Sequence, residues 1–356
     1  MKKNRKIVGI ATIIAVMVSL LVVSVPAKEQ ETIKYALSPM KGKDVHSIPE
    51  GSTIVHLKDG TTKVYGPTKE LILSVNDSDV EMVPTPSGPM RATDVYQVPS
   101  GALIDTKGNT TKVYKDRRCI LTVIDHSKDT KKLPNLKTRR RWTDNDIDPP
   151  IDVGRWIEFA TDDSYDTVDY FSGYWAVPSS PPNPNNNVLD YLFISLQAPG
   201  TGIIQPVLRW YNDQWKIASW YCIGGSGYHS PEKPVDVGDT IHGTMFYSPM
   251  WGRNQTPVRA PSRWTIITSG NGYSTTIGTT LMNDEGMTEQ VAFEAYDING
   301  DEDVPGDTLF TNLNIRNNGQ RVDVQWKEEI DPADEAHFSD LRVRRYSDYT
   351  VGLETA

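Results

Sequence analysis

The chain has 356 residues, 46 Asp/Glu against 37 Lys/Arg, a net charge of −9, and 26 Gly with 24 Pro. That length accommodates two or three domains and a sizeable core, and the turn-rich, Trp- and Tyr-rich composition suits a β protein. With no sustained heptad and only Cys119 and Cys222, the sequence excludes a long coiled coil, a disulfide framework and a cysteine metal cluster; one bridge or two free thiols both stay open.

The charge is split. Residues 1–141 carry 24 Lys/Arg against 14 Asp/Glu, and residues 142–356 carry 13 against 32, a net of −19. An acidic back half argues against nucleic acid as its ligand, and a basic front half is expected to dock onto it in cis.

In chain order, Lys2, Lys3, Arg5 and Lys6 precede an apolar run, Ile7 to Val25, that ends at Val25-Pro26-Ala27. Residues 1–27 therefore read as an export signal, with an uncleaved membrane anchor through residues 7–25 as the alternative. Either form implies a protein secreted or held on the outer face of the cell membrane. Asn76, Asn109 and Asn254 then begin glycosylation triplets.

Residues 28–126 contain two copies of a unit of about 50 residues. Asp44 to Pro49 recurs as Asp94 to Pro99, Thr61-Thr62-Lys63-Val64-Tyr65 as Thr110-Thr111-Lys112-Val113-Tyr114, and Leu71 to Val75 as Cys119 to Val123. Gly-containing turns between the apolar runs predict small β-hairpin units. Residues 127–150 read as a linker, with Arg139-Arg140-Arg141 as either a processing site or a solvated basic loop.

From 151 to 330, short strand-like runs recur every ten residues or so without helical pattern. That spacing predicts an all-β, antiparallel two-sheet sandwich. Residues 331–356 form a polar tail, expected to be partly helical or disordered.

Several site chemistries find little support. Gly224-Gly225-Ser226-Gly227-Tyr228 lacks the last glycine of a nucleophile elbow, and His229, His242 and His337 show no paired spacing. Asp297 to Asp303 presents oxygen ligands at alternate positions, but its glycine and acids do not match a calcium loop, so an acidic turn is the simpler reading. Neither metal nor cofactor is expected.

Two runs remain, Ile203-Ile204-Gln205-Pro206-Val207-Leu208 and Val291-Ala292-Phe293-Glu294-Ala295-Tyr296, each setting a polar side chain among apolar ones. If they lie on one concave face, Glu294 can take a proton from water, and return it to a leaving nitrogen, while the Gln205 amide holds an oxyanion. Burial among aromatics would raise the Glu294 pKa. Taken alone, the pair reads more simply as ordinary sandwich residues.

From Trp156 to Ile315 the chain resembles the glutamic peptidases of the eqolisin type. The resemblance is carried by Phe171-Ser172-Gly173-Tyr174-Trp175-Ala176-Val177-Pro178, Gly202-Ile203-Ile204-Gln205, Ala218-Ser219-Trp220-Tyr221, Val237-Gly238-Asp239-Thr240-Ile241 and Glu289 to Tyr296, in the family's order. It implies a bent sandwich with catalytic Gln205 and Glu294, acting as an acid-active endopeptidase on polypeptides. Trp175, Trp210, Trp220 and Tyr296 are expected to wall the groove, and residues 28–141 to act as an intramolecular inhibitor. Neprosin-like relatives in the broader group use two glutamates, whereas this chain has Gln at 205. Phe193, Gln197 and Cys222 stand where the family pattern has Trp, Asp and an acidic residue. The alternatives are a lectin-like sandwich that binds without cleaving, and a glycosidase pairing Glu294 with Glu289 or Asp297.

Overall fold

Short runs rich in β-branched and aromatic residues make almost every element a strand, some alternating buried with half-buried positions, as Ser52–His56 does, and others buried throughout, as Gly202–Tyr211 is. The computed structural model describes residues 33–36, 45–127, 155–165, 167–183, 188–198, 202–248, 263–280, 286–298, 300–330, 338 and 341–355. The leader, the Arg139–Arg141 loop and Asn254 lie outside these residues. Among the described residues there is no α-helix, hence none long and apolar enough to cross a membrane.

An eleven-stranded sheet, the groove sheet, runs Val45–Ile48, Ile33–Ala36, Val95–Gln97, Ser226–His229, Gln214–Ile223, Gly202–Tyr211, Leu189–Ala198, Thr288–Tyr296, Arg155–Asp162 and Lys327–Ile330. Lys233–Pro234 joins it beside Gln214–Ile223. A fourteen-stranded back sheet runs Arg342–Ser347, Thr350–Glu354, Thr308–Asn317, Tyr170–Ala176, Thr240–Ser248, Arg263–Gly270, Tyr273–Thr279, Ala102–Lys107, Thr110–Lys115, Arg118–Asp125, Ser52–His56, Thr61–Tyr65 and Leu71–Asn76. Gln320–Arg321 pairs beside Thr308–Asn317. A two-stranded ladder, Met82–Val83 with Met90–Arg91, stands apart from both.

The sheets face one another across a continuous apolar interior that includes Leu192, Ile194, Ile204, Leu208, Tyr221, Ile266, Phe293 and Leu313. Burial of such side chains is the main favourable term, about 1.5–3 kcal/mol for each large one. A buried hydroxyl cluster also ties the sheets, with Ser219 Oγ 3.0 Å from Thr268 Oγ1 and donating to the Thr275 carbonyl at 3.0 Å. Gly243 lies under the indole of Trp175, where a Cβ would stand 2.9 Å from the ring.

The repeats are not a separate layer. Each copy forms three antiparallel strands, as the hairpin chemistry predicts, and the copies join through parallel pairing of Arg118–Asp125 with Ser52–His56. Val95–Gln97 then pairs in parallel with Ser226–His229 in the groove sheet, and Ala102–Lys107 with Tyr273–Thr279 in the back sheet. Ile54, Val98, Ala102 and Ile104 enter the same interior as the sandwich, so Thr32–Ala356 forms one compact unit.

The tail differs from its expectation. Arg342–Ser347 and Thr350–Glu354 form a hairpin on the edge of the back sheet. The cause is the spacing of Val343, Val351 and Leu353, which send their side chains into the interior.

Candidate functional site

Because strand side chains alternate, every second residue of the groove sheet faces away from the interior. Gln205 sits midway along its strand, opposite Trp220 on the next strand. On the other side Tyr191 links two neighbours, opposite Arg209 on the Gln205 strand and opposite Glu294 on the Thr288–Tyr296 strand. A register shift between Trp156 and Glu158 places Trp156 directly across from Glu294. Such bulges re-aim side chains beside sites. Gln205, Glu294, Tyr296, Tyr191, Trp220 and Trp156 therefore share one face.

Gly202 starts the Gln205 strand at φ 98°, where a Cβ would collide with the Cys222 carbonyl oxygen, so only glycine fits.

The aromatic wall is close-packed. Tyr191 stands edge-on to Tyr296 at 6.2 Å and to Trp220 at 6.5 Å, and Trp220 stacks on His229 at 4.4 Å. Trp156 stands edge-on to Phe193 at 5.7 Å. These side chains belong to a second apolar cluster on this face, and Val83, Met90, Ala92 and Val95 from the first half complete it.

That first-half segment is a hairpin whose tip, Pro84 to Pro89, lies on the face. Gln205 Nε2 donates to the Pro86 carbonyl, and Ser87 Oγ donates to Gln205 Oε1 at 3.1 Å. Tyr191 donates its hydroxyl to the Pro84 carbonyl at 3.1 Å, and Tyr296 donates to the Thr85 carbonyl at 2.8 Å. The Tyr296 hydroxyl also lies 2.6 Å from Glu294 Oε1. Under this cover Gln205 is 0% and Glu294 1% exposed.

Burial pushes the Glu294 carboxyl up to about 8. Hydrogen bonding from Tyr296, the Trp156 side chain and the Gly88 backbone pulls the other way. Glu294 Oε2 has no hydrogen-bond partner that meets ordinary geometry. One tyrosine hydroxyl carries one proton, so Tyr296 satisfies both neighbours only when Glu294 is protonated. Burial likewise pushes the Cys222 thiol up to about 12, with the Ser87 and Thr85 hydroxyls beside it. Cys119 is exposed and Cys222 buried, and both are free thiols.

The expected wall residues divide. Trp220 and Tyr296 are on the Gln205 face. Trp175 and Trp210 instead pack in the interior, the first against Phe310 at 5.1 Å and the second against Trp215 at 5.3 Å. Trp210 is five positions from Gln205, and that odd spacing turns it to the other side. The same parity separates Glu289 from Glu294, so those two carboxyls cannot flank one sugar. Tyr191, Trp156 and the Pro84–Pro89 tip escaped sequence reasoning. Tyr191 and Trp156 depend on cross-strand register, and the tip meets a partner 119 positions away.

Asp301–Asp303 forms a 3₁₀ turn with Asp303 buried. Gly224 and Gly225, at φ 55° and 81°, make the hairpin turn into Ser226–His229, the turn conformation that favours glycine. Among the described residues no group of three or more His, Cys, Asp or Glu is arranged to hold a metal ion.

No family model matches the chain, and no curated protein matches its sequence. Similar solved structures include scytalido-glutamic peptidase with a transition-state analogue, at 14% identity and a TM-score of 0.40, covering 57% of this chain and 100% of that one. SCP-B, an eqolisin-family peptidase in complex with the tripeptide Ala-Ile-His, matches at 13% identity and a TM-score of 0.38, covering 57% and 100%. An alginate lyase from Pseudomonas aeruginosa matches at 9% identity and a TM-score of 0.25, covering 47% and 83%.

Proposed function

We propose that the chain is an exported, acid-active glutamic endopeptidase in which Glu294 and Gln205 hydrolyse peptide bonds. One observation carries this reading: the Gln205 amide donates to a main-chain carbonyl, that of Pro86, on the face that also holds Glu294. A side chain that can hydrogen-bond a peptide carbonyl can hold the oxyanion formed when water attacks it. Glu294, once ionised, takes the proton of that water and then delivers it to the departing nitrogen. The reaction needs only these side chains and water, with neither metal nor cofactor. The Tyr191–Trp220–Tyr296 wall supplies the surface for a polypeptide in the groove. Export rests on the basic, then apolar, sequence of residues 1–27.

In an open, hydrated groove the Glu294 carboxyl relaxes toward its ordinary value of 4.5, so it can act as a base in mild acid.

The test is digestion of a denatured protein from pH 2 to 7. Because the hairpin tip covers both side chains, the assay uses the full chain with Thr85–Gly88 replaced by two glycines. The expected result is cleavage in acid, indifferent to chelators and lost in both Glu294→Gln and Gln205→Ala. Cleavage that survives Glu294→Gln would overturn the assignment. A folded protein that binds glycan or peptide without cutting it would establish the lectin-like alternative.

A further inference from the structure

We propose that the regulatory element of this site is the hairpin between Asp77 and Asp94, a cover opened by displacement while the rest of the first half stays in place. The proposal rests on the peptidase reading for its consequence, and on the following geometry for its mechanism.

The tip engages the groove as a peptide would, but out of register for cleavage. Gln205 holds the Pro86 carbonyl, so the bond it would activate is Pro86–Ser87. Hydrolysis there requires Glu294 to deliver a proton to the Ser87 nitrogen. That nitrogen is folded inward, donating to the Thr85 carbonyl at 2.7 Å, and the backbone group beside Glu294 is Gly88 instead. The turn is held shut by Thr85 Oγ1 donating to the Gly88 carbonyl at 2.6 Å. Covered in this way, Glu294 stays protonated through the acid range and offers no base. The tip therefore occupies both catalytic side chains without being cut.

The neck of the hairpin is tied separately. Arg91 Nη1 reaches Asp77 Oδ2 at 2.7 Å, joining the two ends of the excursion, and Arg91 Nε lies 3.5 Å from Asp94 Oδ2. Asp77 is braced in turn by the Thr62 hydroxyl at 2.7 Å. Met82 pairs with Arg91 and Val83 with Met90, and the Ala92 N–H donates to the Glu81 carbonyl at 2.9 Å. Beyond the neck the repeats are bonded into both sheets and into the interior. Stripping the whole first half would expose that interior, whereas lifting the hairpin uncovers the groove alone.

Cys222 reports this motion without reference to catalysis, because it lies in the apolar cluster under Val83 and Met90 with the Thr85 and Ser87 hydroxyls beside it. In a Cys119→Ser background at one fixed pH, alkylation of Cys222 is timed beside cleavage of a denatured protein. The intact chain should react slowly and cleave slowly. Arg91→Ala should speed alkylation about fivefold, the effect of losing a partly exposed ion pair. Replacing Thr85–Gly88 with two glycines should speed it on the order of 100-fold, as expected when a locally closed element stays open, and cleavage should rise with it. Circular dichroism and a melting curve confirm that each variant is folded, and the glycine variant decides the matter if Arg91→Ala is not.

Protection of Cys222 unchanged by the glycine replacement would overturn the cover. So would an intact chain that cleaves as fast as the glycine variant. A glycine variant that exposes Cys222 yet cleaves nothing supports the cover and overturns the peptidase reading instead.

Discussion

Glu289 and Glu294 lie on one strand, five residues apart, and that odd spacing sends them to opposite faces of the groove sheet. Both are buried, and burial drives both above the ordinary carboxylate range. Their neighbourhoods differ. Glu294 has Tyr296 at 2.6 Å, with Trp156 and a backbone amide nearby. Both oxygens of Glu289 lack a hydrogen-bond partner, and Asp162 and Asp163 add like charge. Asp190 shares this predicament on the interior side, well above the usual range beside Asp303, and Glu158, with only Oε2 lacking a partner, is pushed up to about 9. A carboxyl among polar partners, on a face that lifting the hairpin would expose, can do chemistry. One sealed between sheets can only make stability depend on pH.

The largest expected effect separates the two faces by activity. In the glycine-tip chain, Glu294→Gln should lower kcat on the order of 10³-fold, within the range for a general acid–base residue, and leave the melting temperature no lower. Gln205→Ala should cost about 10²- to 10³-fold in kcat. Its KM should change little, because the oxyanion exists only in the transition state.

Stability should divide the faces in the opposite sense. Glu289→Met removes a partnerless buried acid and should stabilise the fold by roughly 1–3 kcal/mol at pH 8, with activity unchanged. The gain should shrink at pH 3, where the native carboxyl is already protonated.

Glu158 shows the sign that the buried carboxyls share. Its folded value, about 9, exceeds the ordinary 4.5, so the folded state holds the proton more tightly. Its contribution is fully present below about 4.5 and is lost as pH rises toward 9. Melting temperatures measured from pH 3 to 9 should therefore fall with rising pH, and Glu158→Gln should flatten the slope. Arg342 N–H, which donates to Glu158 Oε1 at 2.7 Å, keeps an acceptor in that variant. A melting temperature that climbs with pH would contradict this.

The smallest effect belongs to Tyr296→Phe. It removes the hydroxyl bond to the Thr85 carbonyl, worth about 1 kcal/mol, and should loosen the cover by about fivefold in Cys222 alkylation.

Much of this was legible in the sequence wherever the information is local. The short apolar runs Ile203 to Leu208 and Val291 to Tyr296, each set with a single polar side chain, identified two strands and the polar residue in each. Glycine-bearing turns marked the repeats as hairpin units. What stayed hidden depends on register between strands distant in the chain. Tyr191 joins the site because it sits opposite both Arg209 and Glu294, and Trp156 because a bulge turns it there. Parity could have removed Trp210 from the groove, five positions from Gln205. Trp175 needed the structure, since its place over Gly243 follows from pairing with the Thr240–Ser248 strand. Charge pointed to docking of the basic first half, but it did not single out the uncharged tip Pro84-Thr85-Pro86-Ser87-Gly88-Pro89, which makes the contacts with Gln205 and Tyr296.

The most direct measurement sets the two carboxyls of one strand side by side. Glu294→Gln and Glu289→Met, each in the glycine-tip chain, are incubated with a denatured protein at acid pH and the new peptide ends are counted by mass spectrometry. The expected result is full cleavage with Glu289→Met and none above background with Glu294→Gln. Equal cleavage by both, or none by the glycine-tip parent while it remains folded, would contradict the assignment of Glu294 as the base.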